Sequence, residues 1–171
     1  YIDWNVIVVQ RLQELGFDYV WAFDDIAADS GPLVSPRAYR ETVLPRLKKA
    51  VEVIDVPWIY HSDGDVNPVL DDLATLGMNA LHPLQPDVMD IYAVRERFPE
   101  LGLVGNIDMG LLAQGTPAEV EALVRERIQR LAPAGGYMIS SSNSITDYLK
   151  EENVRAMVDA VARYRRRPYR G

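Results

Sequence analysis

The chain has 171 residues, of which 48% are hydrophobic and 25% are charged, and its net charge is −7 at pH 7. This composition is typical of a soluble globular protein, and the length suits one domain with a sizeable core. An acidic chain with no basic stripe before its end does not favour a nucleic-acid partner. The arginine-rich end, residues 163–170, is interpreted as a solvated terminus rather than a phosphate-binding arm.

The chain contains no cysteine, which excludes disulfides, thiolate metal sites and cysteine nucleophiles. No apolar run approaches the roughly 18 residues that a membrane span needs, and no signal peptide opens the sequence. We therefore expect a cytoplasmic protein that does not bind membranes. The sequence starts at Tyr1 inside a helix-like pattern with no cap before it. From this start we expect a piece of a longer protein.

A leading helix pattern over residues 1–16 is followed by five short apolar runs that alternate with helical patterns. Each run has an apolar centre with little alternation, which is typical of parallel strands that are covered on both faces. The runs are FDYVWAFDD (17–25), VPWIYHSD (56–63), MNALHPLQ (78–85), LGLVGNID (101–108) and GYMISSSN (136–143). Strands that alternate with helices predict βαβ units and an α/β fold, which here forms a single domain over residues 1–171.

The helix pattern over residues 35–54 carries both a start signal and a breaker. Ser35 can cap it, Pro36 fits its first position, and Pro45 should kink it or split it in two. A capping box of Thr116 and Glu119 predicts the start of the helix over 116–133. Further helices are predicted over 67–77, 87–99 and 151–166. In the last helix, the residues expected to face inward are Val154, Met157, Val158 and Val161.

Polar side chains follow every apolar run at the point where the predicted strand ends. They are Asp24, Asp25, His61, Asp63, His82, Gln85, Asn106, Asp108, Ser140, Ser141, Ser142 and Asn143. Ligands of parallel α/β folds bind at the carboxyl ends of the strands, so we expect these groups to line one cleft. Each also has a plainer interpretation as a turn or a helix cap. The glycine-rich nucleotide-binding motifs and the GxSxG nucleophile motif do not occur.

Four segments of the chain resemble the C-terminal part of the uroporphyrinogen decarboxylase superfamily, which includes cobalamin-related methyltransferases. They are FDDIAADSGPLVSPRAYRETVLPRLK, HSDGDV, LVGNIDMGLLAQGTPAEV and LAPAGGYMISSSNSI. The resemblance implies a (β/α)8 TIM barrel with its active site at the strand C-terminal ends, of which only about five β/α units are present here. A partial barrel has open sheet edges, so the resemblance implies either a longer protein or a homo-oligomer, with a homodimer expected.

The resemblance implies two chemistries. The methyltransferase branch binds zinc through a histidine and two cysteines. His61 occupies the histidine position, Asp63 stands in place of the first cysteine, and Asn143 stands about where the second would be. This set leaves a divalent metal site open but does not favour thiol-activating zinc. In the decarboxylase branch, Asn143 replaces a last-strand histidine, and the N-terminal arginine and catalytic aspartate motif has no counterpart.

The resemblance therefore implies an enzyme acting on a tetrapyrrole, or on a methyl group carried by a corrinoid on a partner protein. His61 would be a proton donor or metal ligand, and Asp63 would orient it or share the metal. The expected substrate-binding residues are Asp24, Asp25, His82, Gln85, Asn106, Asp108, Ser141, Ser142 and Asn143. The alternatives are a non-catalytic module that binds a corrinoid or small acid, or a fragment that is inactive without its N-terminal strands.

Overall fold

The computed structural model of the protein describes residues 2–165. The predicted solvated terminus lies outside the described residues from position 166 onward. The strands are β1 (Val20–Phe23), β2 (Ala27–Ala28), β3 (Gly31–Pro32), β4 (Trp58–His61), β5 (Ala80–His82), β6 (Gly102–Val104) and β7 (Tyr137–Met138). The helices are α1 (Ile2–Glu14), α2 (Pro36–Ala38), α3 (Leu44–Val51), α4 (Leu70–Ala74), α5 (Ile91–Arg97), α6 (Met109–Gln114), α7 (Pro117–Leu131) and α8 (Glu151–Tyr164). None of these helices is long and apolar enough to cross a membrane.

Five of the strands form one parallel sheet in the order β1-β4-β5-β6-β7. Neighbours in the sheet thus follow one another along the chain once the small antiparallel pair of β2 and β3 is set aside. Right-handed crossovers between sequential neighbours put every connecting helix on the same face, which is the wall of a barrel rather than a doubly wound sheet. The predicted parallel α/β arrangement is confirmed.

The two faces of this sheet are buried to different extents. Val20, Trp58 and Leu81 lie on one face and belong to the core that the helices cover. Side chains alternate along a strand, so Phe23 and Met138 lie on the opposite face, where they are 69% and 56% exposed. In a closed barrel this second face would be the interior. The sheet face that would line the interior of a closed barrel is therefore exposed in this chain.

The predicted helix signals occupy the positions that the sequence indicated. Ser35 Oγ accepts a hydrogen bond from the Ala38 backbone N–H, and Thr116 and Glu119 form the capping box of α7. The helix that contains Pro45 is broken into α2, a π-helical turn over Tyr39–Val43, and α3. This confirms the predicted split, because proline has no N–H to donate and its ring disturbs the preceding turn.

Two helix predictions need correction. Helix α6 was not expected, because its first residues directly follow the strand run that the sequence extended to Asp108. The Asp108 side chain caps this helix by accepting a hydrogen bond from the Leu111 backbone N–H. In α8 the predicted inward position of Val158 is wrong, since its side chain is 57% exposed. Asn153 is fully buried instead, and its amide donates to the backbone carbonyls of α6.

Candidate functional site

Two histidines lie side by side on the open face of the sheet, at the carboxyl ends of β4 and β5. His61 and His82 are direct partners in the parallel pairing, so their side chains point to the same face. Their Nδ1 atoms are 2.6 Å apart and the rings stack with centroids 4.9 Å apart. Both residues are buried. The structure therefore brings the chain's two histidines into one hydrogen-bonded pair.

Two carboxylates face the other ring nitrogen of His61. Its Nε2 atom lies 3.5 Å from Asp25 Oδ1 and 3.9 Å from Asp63 Oδ1. One potential ligand atom from each of these three residues lies within 4.8 Å of the other two. Asp25 follows β1 and Asp63 follows β4, so neighbouring strands supply this group at their carboxyl ends. We call Asp25, His61 and Asp63 the carboxylate–histidine triad.

Asn143 lies against this triad rather than within it. Its Nδ2 atom donates a 2.9 Å hydrogen bond to Asp63 Oδ2, which leaves Asp63 Oδ1 facing His61. The Asp63 backbone N–H in turn donates to Asp25 Oδ1 at 3.0 Å. The sequence had placed Asn143 beside His61 and Asp63 as a ligand. The structure brings Asp25 to His61 and Asp63 as well, and Asn143 contacts Asp63 as a hydrogen-bond donor.

The loop after His61 is fixed by side chains from two other segments. Gln85 Oε1 accepts from the Gly64 backbone N–H, and Gln85 Nε2 donates to Asp29 Oδ1 at 2.8 Å. Ser62 is buried, and its hydroxyl accepts from the Ile26 backbone N–H. The sequence reasoning did not include Ser62 or Asp29. Only the position of Ser62 between His61 and Asp63 could have drawn attention to it.

Burial sets the electrostatics of the site. It lowers the pKa of His82 to about 4, helped by the neighbouring His61 ring, so His82 is neutral at pH 7. Burial also raises the pKa of Asp63, and Asp25 contributes in the same direction while His61 opposes it. Two carboxylates held close together repel one another, and a cation between them would relieve that repulsion.

An open cavity of about 410 Å³ adjoins Asp63. Its lining includes several of the residues that the sequence assigned to substrate binding. The complete lining is Asp63, Gln85, Pro86, Asp87, Asp108, Met109, Gly110, Ser142, Asn143 and Tyr148. This lining contains three aspartates and neither lysine nor arginine. The cavity is therefore a place for a small molecule beside the triad, with a negative wall.

Some predicted site residues are held elsewhere. Asp24 lies beside Val43 and Leu47 on the helix-covered side, where burial raises its pKa, with a further contribution from Asp25. Asn106 is fully enclosed: its amide donates to the Leu84 carbonyl, and its side-chain oxygen accepts from Arg127 Nε. The structure thus gives Asn106 a bonding role within the wall and does not bring Asp24 to the triad.

The Ser140 and Ser141 hydroxyls donate to backbone carbonyls within their own turn, to those of Ser141 and Asn143 respectively. Of the predicted serines, Ser142 is the one that lines the cavity.

Residues 1–164 match the family described as uroporphyrinogen decarboxylase (URO-D). The chain belongs to this family. Its curated relatives include the methylated-thiol–coenzyme M methyltransferase of Methanosarcina mazei, which is 26% identical over 157 residues. That alignment covers 91% of this chain but 41% of the relative. The chain thus spans less than half the length of the curated relative that it matches.

Solved structures place this URO-D family member within barrel proteins. A methyltransferase from Methanosarcina mazei superposes with a TM-score of 0.77 at 25% identity, covering 95% of this chain and 47% of that one. A B12-independent methionine synthase from Shewanella sp. W3-18-1 gives a TM-score of 0.56 at 15% identity, over 94% and 52% of the two chains, and this likeness concerns the fold alone. The predicted family and the predicted partial TIM-type barrel are both confirmed.

The donor set of the triad can be tested against the metal that the family resemblance implied. The chain has no cysteine, so a thiolate-rich zinc site does not fit. One imidazole nitrogen and two carboxylate oxygens do suit a divalent ion that accepts nitrogen and oxygen ligands, such as zinc or manganese. The 3.5 and 3.9 Å separations from His61 Nε2 are close to the roughly 3.4 Å edge of a tetrahedral site with bonds of about 2.1 Å. The triad fits such an ion after small side-chain movements.

Proposed function

We propose that this protein is a methyltransferase of the URO-D family that acts on a methyl group carried by a corrinoid, at a divalent metal site formed by Asp25, His61 and Asp63. The observation that carries the proposal is the convergence of these three side chains at one end of the parallel strands. The relatives that are methyltransferases by name support the class of reaction.

Each residue of the triad has a separate part in this function. His61 would bind the ion through Nε2, and the two aspartates would offset its charge while binding through Oδ1. When bound, a divalent ion supplies Lewis-acid polarisation of a substrate heteroatom. Asn143 keeps the second oxygen of Asp63 occupied, so this carboxylate presents a single oxygen to the site. The site is thereby held before substrate arrives.

The cavity beside the triad favours methyl transfer over decarboxylation of a porphyrinogen. Uroporphyrinogen carries many carboxylates, and a protein binds such groups best through arginine and lysine side chains. Among the described residues, the cavity wall offers Asp63, Asp87 and Asp108 and no basic side chain. A polyanionic substrate would be repelled there. A small neutral or cationic compound that accepts the methyl group suits the wall better.

The open barrel supports the presence of a further polypeptide. Phe23 at the end of β1, and Tyr19 just before this strand, are 69% and 55% exposed. Large exposed apolar side chains at a strand edge are typical of surfaces that another segment or chain covers. We include in the proposal a homo-oligomeric contact at this edge and a corrinoid protein that reaches the cavity.

Two reactions measured side by side test the proposal. Transfer of the methyl group from methylcobalamin to a small thiol is followed by the absorbance of the corrinoid, and release of carbon dioxide from uroporphyrinogen is followed with labelled substrate. We expect methyl transfer without decarboxylation. The rate should fall at least about 10- to 100-fold in Asp63→Asn, since the loss of a group that merely supports a metal ligand already costs that much. The control Asp159→Asn changes an exposed carboxylate on α8 and should leave the rate unaltered.

Decarboxylation without methyl transfer would overturn the proposal in favour of a lyase. Binding of cobalamin with neither reaction would identify a non-catalytic binding module instead.

A further inference from the structure

We propose that Gln85 is a positioning residue, whose side-chain amide ties the loop of Asp63 to the loop of Asp25 and so holds the two carboxylates close enough to share one metal ion. The inference rests on the proposed metal site. It assigns to Gln85 a role in preparing that site, beyond the substrate contact that its place in the cavity wall suggests.

The two aspartates of the triad lie on loops rather than on strands. Strand β1 ends at Phe23 and β4 ends at His61, so Asp25 and Asp63 each stand two residues beyond the end of a strand. Carboxylates held close together repel one another, and a metal site works only when its ligands stay within about 0.5 Å of the required geometry. A restraint on the two loops therefore favours metal binding.

Each end of the Gln85 amide has a partner on one of these loops. Its Oε1 atom accepts a 2.9 Å hydrogen bond from the backbone N–H of Gly64, the residue after Asp63. Its Nε2 atom donates at 2.8 Å to Oδ1 of Asp29, which follows Asp25 on the other loop. A backbone N–H can only donate and a carboxylate oxygen accepts, so these partners define which way the amide points. One side chain thus bridges the two loops.

The segment that carries Gln85 is anchored in the barrel wall. The carbonyl of the preceding residue, Leu84, accepts a 2.8 Å hydrogen bond from the side-chain amide of Asn106. Arg127 of α7 in turn donates to Asn106 Oδ1 at 2.9 Å. Leu84 and Asn106 are both 1% exposed, so water has little access to compete for the bond between them. Gln85 therefore extends from a fixed base.

The bridge adds a connection that the two loops do not make by themselves. Three hydrogen bonds join the loops to each other, from the backbone N–H groups of Ile26, Asp63 and Asp65 to Ser62 Oγ, Asp25 Oδ1 and the Ala28 carbonyl. The Ser62 backbone N–H also donates to the His82 carbonyl at the end of β5. Among the described residues, the other hydrogen bonds from the loops to the segment after β5 are those of Gln85. The pair of loops is thus held to a third strand end mainly through this side chain.

Substitutions at position 85 separate the bridge from the bulk of the side chain. Gln85→Leu keeps a similar size and removes both hydrogen bonds. Gln85→Glu keeps an acceptor for the Gly64 N–H but sets a carboxylate against Asp29. The double variant Gln85→Glu/Asp29→Asn has the net charge of the wild type and restores the bridge in reverse, because the amide at position 29 then donates to the carboxylate at position 85. Gln129→Leu changes an exposed glutamine of α7 and is the matched control.

Zn²⁺ affinity is measured by calorimetry, and hydrogen exchange of the Gly64 amide is measured by NMR in the metal-free protein. We expect Gln85→Leu to weaken Zn²⁺ binding about 10-fold, the lower end of the effect for a group that supports a metal ligand. The Gly64 amide should exchange about 5-fold faster in Gln85→Leu, since it loses its hydrogen bond, and faster in Gln85→Glu as well. The double variant should return both values close to those of the wild type, and Gln129→Leu should change neither.

Unchanged Zn²⁺ affinity in a folded Gln85→Leu protein would overturn the inference, as would a double variant whose Gly64 amide exchanges as fast as in Gln85→Glu. If Gln85→Leu does not fold, the comparison of Gln85→Glu with the double variant decides alone. Absence of Zn²⁺ binding by the wild type would also refute it. A Gln85 effect on Zn²⁺ in a protein that transfers no methyl group would leave this inference standing and remove the proposed function.

Discussion

Gly64 is the residue of the site loop at which a single methyl group should have the largest effect. Its φ is +80°, and a Cβ added there would lie 2.7 Å from the backbone carbonyl of Ala27 and from the carbonyl carbon of Ala28. Alanine in the left-handed region costs about 1–2 kcal/mol. A clash with backbone that cannot move aside adds about 1–3 kcal/mol. Gly64→Ala should therefore lower the free energy of unfolding by about 2–5 kcal/mol.

A matched glycine isolates the steric part of this effect. Gly135 has a φ of +79°, but an added Cβ would meet no atom within 4 Å. Gly135→Ala should thus cost only the backbone strain of about 1–2 kcal/mol. Urea unfolding followed by circular dichroism measures both variants under the same conditions. Equal loss of stability in Gly64→Ala and Gly135→Ala would refute the close packing of the site loop against residues 27–28.

Two further predictions concern α8 and the start of α7. Met157→Ala should lower the free energy of unfolding by about 2–5 kcal/mol, because the Met157 side chain is buried. Val158→Ala, on the exposed side of α8, should change it by less than about 0.5 kcal/mol. Thermal unfolding of both variants checks this, and equal effects would contradict the orientation of α8. The hydrogen bonds of Thr116 hold the pKa of Glu119 below its usual range. The stabilisation that the ionised Glu119 carboxylate provides is therefore present above pH 4.5, and it is lost as the pH falls through the lowered pKa of the folded protein. Acid unfolding should show a smaller pH dependence in Glu119→Gln than in the wild type, and identical curves would contradict the capping box.

The sequence patterns predict the alternation of parallel strands and helices because these signals are local, whereas the barrel was implied by the family resemblance. Five apolar runs with polar ends, and caps such as Ser35 and Thr116, depend on neighbouring residues alone. The short helix α6 has a cap, Asp108, but only six residues and no long apolar stripe. The inward position predicted for Val158 is wrong because the apolar face of a helix is broad, about 100° or more around its axis. Only the position of α7 decides which part of the apolar face of α8 is covered.

The site was less accessible to sequence reasoning. Asp24 and Asp25 are adjacent, and the alternation of side chains along β1 means that only one of them can face the open side. The sequence did not say which one, and the structure selects Asp25. The pairing of His61 with His82 depends on the register between β4 and β5, which neither strand encodes alone.

Metal binding by the triad is the most direct test of this account. Purified protein loaded with Zn²⁺ or Mn²⁺, freed of loosely held ions and assayed by elemental analysis and calorimetry, should hold about one ion per chain. His61→Ala and Asp25→Asn should each lose that ion, while Asp159→Asn should retain it. Metal content that is the same in His61→Ala as in the wild type, or no binding of either ion by the wild type, would contradict the central claim.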